Sequence, residues 1–287
     1  MADSAGDKPQ TESATSYKKK SGKPMFIIVV VVALVVGLLL GTVIGSVFLQ
    51  EEQEGGALDR ILSRGELIVG TNVPWEPFEW YNYTSQKYEG IDMAVVQAIA
   101  DELGVDLVIK SMDFEALIGA VQTGQIDIAI SSITILPERA ESVDFSIPYY
   151  VANQAVLVRD SANISNEGAL DGKKVGAQAD TTGAYYVADH WVDGDVDVDF
   201  TPYPEVSGAI MALDSSLVDA IVVDTPVANR YANDDSYDFK VGFTIETNES
   251  YGIACPKGNP ALKMVIDNVL ERILSDGTMD DILVQYT

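Results

Sequence analysis

From residue 58 to the C-terminus, short runs of β-branched apolar residues alternate with segments whose apolar residues recur every three or four positions. That alternation restricts the chain to an α/β fold. Strands apolar on both sides and helices apolar on one side bury themselves together only when helices cover the faces of a sheet. The pattern predicts strands over 66–71, 106–111 and 126–130, with helices over 58–63, 91–103 and 114–122. In the helix at 91–103, Ile91, Val95, Val96, Ile99 and Leu103 form one apolar face. The same order returns beyond Tyr150, with strands over 174–178, 196–200 and 218–223 and helices over 183–192 and 205–213. Strands at 239–243 and 250–255 and helices at 260–274 and 278–284 complete the chain. Mainly parallel sheets are expected from such an order. The segments 120–130 and 212–222 echo each other in their apolar positions, with Asp127 matching Asp219. Two lobes of one plan would produce that echo, and so would a generic helix-then-strand unit.

The most informative corner follows the third strand. Pro137 and Glu138 open a helix, since proline fits its first position and an acid suits the positive end of its dipole. Ser131, Ser132 and Thr134 therefore sit where strand crosses to helix, with the Arg139 guanidinium just beyond. Free N–H groups, a helix start and a bidentate cation converge there, which suits a carboxylate. A buried strand leading into an ion-paired surface helix is the plainer account of the same residues.

Composition removes several function classes. One cysteine, Cys255, excludes an internal disulfide, and one histidine, His190, excludes a His or Cys metal cluster. No P-loop and no G-x-S-x-G elbow is present, and His190 has no neighbouring nucleophile. The net charge of −26 is uneven: residues 1–24 hold five lysines and three acids, leaving −28 on the rest. An acidic body of that kind repels nucleic acid, so none is expected as a partner.

Residues 1–24 read as a disordered cytoplasmic tail. Residues 25–49 contain no charged side chain, enough for a helix to cross a hydrocarbon core of about 30 Å. Lysines before that run, and Glu51, Glu52 and Glu54 after it, predict a single-pass anchor in the cell membrane with the body outside the cytoplasm. A cleaved signal peptide is the competing reading, but its apolar core is usually about 7–15 residues long. Gly37, Gly41 and Gly45 are spaced as a stripe on which two anchors could pack. Residues 50–57 form a stalk, and sequons at Asn82, Asn163 and Asn248 are compatible with an extracellular setting.

The run SSITILPERAESVDFSIPYY, ending at Tyr150, resembles the signature of family 3 extracellular solute-binding proteins, the polar-amino-acid receptors of ABC importers. GTNVPWEPFEW (70–80), GIDMAVVQAIADEL (90–103), VGAQADTTG (175–183) and VDAIVVDTPVA (218–228) extend the resemblance across nearly all of the body. It implies a two-lobed type II periplasmic-binding-protein fold with a hinge, following the N-terminal transmembrane helix. Lobe 1 would comprise 58–152 and 249–287 and lobe 2 residues 153–248, with crossings near 151–154 and 246–252.

By the same resemblance, Arg139 grips the α-carboxylate of a free amino acid, helped by Thr134, Thr181 and Thr182. Asp224 takes the α-ammonium with Thr134 and the Ser132 carbonyl. A zwitterion leaving water needs both charges matched, and these residues supply them. Each has a plainer role open to it: Arg139 could pair with Glu138 or Glu141, and Asp224 could cap the helix starting at Thr225. Trp75 and Phe114 match positions that sandwich the ligand side chain, and Asn72, Gln178 and Val223 make a polar, uncharged far end. Asp180 departs from the family's usual glycine, and Asn72 stands where readers of basic side chains often carry an acid. A neutral polar amino acid such as glutamine is therefore expected. No metal or cofactor is implied.

The resemblance implies a receptor that catalyses nothing and hands its amino acid to an ABC permease driven by its ATPase. Two other readings stay open. One is a lyase of the cyclohexadienyl dehydratase type on the same fold, with Glu76 or Glu205 as its acid. The other is the ligand-sensing subunit of a signalling complex.

Overall fold

The computed structural model describes residues 56–192, 194 and 196–287. The predicted tail (1–24), anchor (25–49) and nearly all of the stalk (50–57) lie outside the described residues. Among the described residues, no helix is long and apolar enough to cross a membrane.

The first lobe is built by α1 (Ala57–Arg64), β1 (Glu66–Thr71), a hairpin β2 (Trp80–Asn82) and β3 (Lys87–Glu89), α2 (Ile91–Leu103), β4 (Asp106–Ser111), α3 (Ala116–Gln122), β5 (Ile128–Ala129), α4 (Pro137–Ala140) and β6 (Asp144–Phe145). The long strand β7 (Tyr150–Arg159) then leads into the second lobe. There follow β8 (Lys174–Gln178), α5 (Thr182–Val187) running on into a π-turn, β9 (Asp199–Tyr203), α6 (Val206–Asp214), β10 (Ala220–Asp224) and α7 (Thr225–Ala232). A second long strand, β11 (Phe239–Tyr251), returns to lobe 1, where β12 (Ala254–Cys255), α8 (Pro260–Ser275) and α9 (Thr278–Tyr286) finish the fold.

Each lobe has a five-stranded sheet, ordered β4-β1-β5-β12-β6 and β11-β7-β10-β8-β9. Four of the five strands in each sheet point the same way, in keeping with the mainly parallel sheets expected. β1, β4 and β5 run parallel, as do β8, β9 and β10, but β12 runs antiparallel to β5 and β6, and β7 runs antiparallel to β10 and β11. The exceptions are strands that carry the chain between lobes or bring it back, so they enter each sheet from the opposite end.

The β7–β11 ladder extends from Arg159 opposite Phe239 to Tyr150 opposite Tyr251, slipping register between Ile245 and Glu249. Segments that read as separate strands at 239–243 and 250–255 are thus largely one strand. The strand expected over 196–200 lies instead at Asp199–Tyr203, on the sheet edge, where Pro202 costs no ladder bond.

The echo between Asp127 and Asp219 has a structural basis. Asp127 accepts the Ile68 N–H (2.8 Å) and pairs with Arg64. Asp219 accepts the Lys174 N–H (3.0 Å) and pairs with Arg159 (3.4 Å). Each aspartate starts one strand of a parallel pair and fixes its register on the neighbour. The long helix α8 buries Leu262, Ile266, Val269, Leu270 and Ile273, each contributing about 1.5–3 kcal/mol through burial.

Candidate functional site

The chain leaves β5 at Ala129 and turns sharply, with Ser132 at φ 48° in the left-handed region that few side chains adopt. Two buried acids hold that turn. Asp92 accepts the Ser132 N–H (2.9 Å) and the Tyr149 hydroxyl (2.8 Å), while Glu79 accepts the Ser131 hydroxyl (2.5 Å). Ser131 Oγ in turn accepts the Asn72 N–H at 3.1 Å. Burial, and for Glu79 the neighbouring Asp92, push both acids above the usual carboxylate range. The strand expected over 126–130 shrinks to Ile128–Ala129 because this anchored turn begins immediately after it.

Arg139 leaves α4 with its guanidinium 5.3 Å from the centre of the Phe114 ring. Its Nη1 donates to the Thr134 carbonyl (3.0 Å) and its Nη2 to the Asp180 carbonyl of the other lobe (2.8 Å). Burial lowers its pKa from the ordinary value, yet a guanidinium stays charged at any physiological pH. Asp180 has φ 60°, which explains why this position suits glycine.

From lobe 2, Thr181 caps α5, accepting the Ala184 N–H (3.2 Å) and donating to the Gln178 carbonyl (2.7 Å). Gly183 follows because a Cβ there would lie 2.8 Å from Gln154 Oε1. Asp224 stands at the N-cap of α7 but makes no side-chain cap bond, so the plainer capping role fails. Its oxygens accept instead from Gln154 Nε2 (2.5 Å) and the Tyr251 hydroxyl. Burial first, then the charge of Glu249, raises the Asp224 pKa to about 7.

These groups enclose one cavity between the lobes, lined by Ser131 and by every predicted site residue except Val223. Its free space of about 10 Å³ has room for one water, so an amino acid enters only if the lobes part. Gln178 Nε2 bridges the cleft to Asn72 Oδ1 at 2.9 Å, and Asn72 Nδ2 donates to the Met112 carbonyl at 2.9 Å. Val223 is a correction: it packs in the hydrophobic core, because side chains alternate along a strand and Asp224 takes the cleft side.

Sequence reasoning missed Gln154, Glu249 and Tyr251, all on the crossing strands. A glutamine inside the apolar run YVANQAVLV was the available signal. A roomier depression of about 450 Å³ lies beside Tyr150, Asn153, Asn229 and Tyr286, but its Arg230 is already held by Glu76 (2.9 Å) and Asp234 (3.1 Å).

Residues 67–287 match the family model of bacterial extracellular solute-binding proteins, family 3. The chain belongs to that family. Among curated relatives, the ABC transporter glutamine-binding protein GlnH of Bacillus subtilis is 29% identical, over 82% of this chain and 86% of its own length. An ancestral arginine-binding protein, solved with arginine, is 38% identical, with a TM-score of 0.72, 78% of this chain covered and 98% of that one. The same ancestral protein has also been solved with glutamine. The ancestral amino acid-binding protein AncCDT-1, described as a precursor of cyclohexadienyl dehydratase, is 32% identical, with a TM-score of 0.74, covering 81% and 99%.

Proposed function

We propose that this solute-binding protein captures a free amino acid between its two lobes, without catalysis, and delivers it to an ABC permease and its ATPase. One observation carries the reading: Arg139 and Asp224, of opposite charge and from opposite lobes, line a single cavity. The α-carboxylate would take the Arg139 donors not used by carbonyls, together with the N–H groups at the start of α5. The α-ammonium would take Asp224 and Thr134. Closure is then favoured only when both poles are engaged, since either charge left unpaired in a dry cleft is costly.

The side chain would lie between Trp75 and Phe114 and reach Asn72 and Gln178. Two amides offer donors and acceptors without net charge, which supports a neutral polar ligand such as glutamine. Relatives named for, or solved with, glutamine and arginine make that choice a natural one. The uncharged run at 25–49 would tether the receptor to the cell membrane, body outward.

A lyase reading would need a cleft acid beyond Asp224, which the ligand's ammonium would occupy, and the sequence offered Glu76 and Glu205. Glu76 is tied to Arg230 at 2.9 Å, Glu205 accepts from Ser207 at 3.1 Å, and neither lines the cavity. Calorimetry on the full chain with each of the twenty amino acids, and with prephenate and arogenate, tests the proposal. Tight binding of glutamine with no turnover of prephenate or arogenate is expected. Tight binding of arginine without glutamine would overturn the specificity, and turnover of prephenate or arogenate would overturn the receptor role.

A further inference from the structure

Behind the threonines that line the cleft lies a second carboxylate that the reading above does not use. Glu249 lies on β11 where the chain crosses back to lobe 1, and it is only 8% exposed. One of its oxygens, Oε2, accepts two hydroxyls at once: Thr134 Oγ1 from lobe 1 (2.8 Å) and Thr182 Oγ1 from lobe 2 (2.5 Å). Its Oε1 accepts Gln154 Nε2 (2.9 Å), the same nitrogen that donates to Asp224 Oδ1 (2.5 Å).

A hydroxyl that donates to a carboxylate turns its lone pairs the other way. Thr134 and Thr182 are therefore oriented as acceptors, and Thr134 lines the cavity beside Asp224 as a partner for an N⁺–H group. The shared Gln154 amide keeps the two carboxylates apart while holding both in place. Against them stands one guanidinium, Arg139.

We propose that Glu249 is a positioning and specificity residue of the amino-acid site, setting the threonine hydroxyls as acceptors and giving the ammonium pole two carboxylates in place of one. This inference rests on the amino-acid-receptor reading and deepens it. Such a pole selects ligands that carry a free α-ammonium. It also couples capture to proton release. Asp224 is faced by Gln154, Glu249, Tyr251 and Arg139, and burial with the Glu249 charge brings its pKa to about 7. An ammonium enclosed beside Asp224 therefore displaces any proton held there.

The test uses the full chain. A thermal-shift screen with a mixture of the twenty standard L-amino acids establishes binding, and calorimetry with the active component follows in buffers of different ionisation enthalpy. Wild type should release up to about half a proton per ligand near pH 7 and bind more tightly as pH rises from 6 to 8, by up to about tenfold per unit below the Asp224 titration. Glu249→Gln should weaken binding about tenfold or more at pH 8 and reduce proton release near pH 7, whereas Glu249→Asp should weaken binding but keep the proton release. Wild-type affinity and proton release in Glu249→Gln would overturn the proposal, as would an equal loss in both variants with release unchanged, because that describes a purely structural residue. Should Glu249→Gln not fold, undiminished affinity in Glu249→Asp gives the same refutation. No shift with the mixture would instead remove the receptor reading itself, and this inference with it.

Discussion

The buried Glu79–Asp92 pair makes an unusual demand on stability. Both carboxyls are wholly buried, Glu79 and Asp92 each at 0% exposure, and both are held above the ordinary carboxylate range by burial. In the folded state they therefore keep protons that the unfolded chain has released once pH passes about 4. The stability they contribute is complete below that pH and declines as pH rises toward neutrality. Each retained proton changes the unfolding free energy by about 1.4 kcal/mol per pH unit. Glu79→Gln keeps the size of the side chain and still offers an oxygen to the Ser131 hydroxyl. It removes one titrating group, so its stability should fall less steeply above about pH 5.5, the difference from wild type growing by up to about 1.4 kcal/mol per pH unit while Glu79 keeps its proton. Urea unfolding of wild type and variant at several pH values measures both slopes directly. Parallel profiles would show that the pair does not retain protons and that the serine turn is held in some other way.

Three further outcomes follow from the site. Arg139→Lys keeps the charge, but an ammonium cannot hold the Thr134 and Asp180 carbonyls and also clasp a carboxylate in two places. Losing one charged hydrogen bond should cost about 2–3 kcal/mol, or about 30- to 150-fold in calorimetric affinity. Asn72→Asp puts a carboxylate against Gln178 at the far end of the cleft, and competition calorimetry should then favour arginine over glutamine by about tenfold or more. Asp180→Gly relieves a left-handed backbone at φ 60° and should gain up to about 1 kcal/mol, raising the melting temperature by about 2–4 °C.

Much of the site is legible because its chemistry sits on local patterns. The sequence around Arg139 combines a strand, two serines, a threonine and a helix-opening proline, and each constrains its neighbour. Asp224 follows a buried strand and precedes Thr225-Pro226, so its place at a strand end is equally local. Glu249 carries no such mark, and Gln154 only its place inside an apolar run. They reach the cleft because two long strands, distant in sequence, pair with a register slip that no single segment encodes. Val223 fails for a smaller reason: one step along a strand reverses the direction of a side chain, so the motif locates the strand while the pleat decides which residue faces the ligand. The buried pair Glu79 and Asp92 is invisible among the chain's 44 acids, because only tertiary packing distinguishes a buried carboxylate from a solvated one.

The location of those unmarked residues bears on how recognition and movement are linked. Gln154, Glu249 and Tyr251 belong to the strands that connect the two lobes, and they also contact Asp224 or the threonine hydroxyls. A ligand that pulls on Asp224 therefore pulls on the crossing strands directly, with no intervening element to relay the change. A ligand shifts an equilibrium only by its difference in affinity for the two states. Here that difference has a concrete source. With the lobes apart, Thr182 leaves Glu249, Gln178 leaves Asn72 and Arg139 loses the Asp180 carbonyl, and all three contacts depend on how closely the cleft shuts around its contents. An amino acid that satisfies both poles but is too long for the amide end would hold the lobes slightly open, binding without restoring those three contacts. Selectivity at the far end of the cleft would then be read by the permease as a shape of the whole receptor rather than as affinity alone.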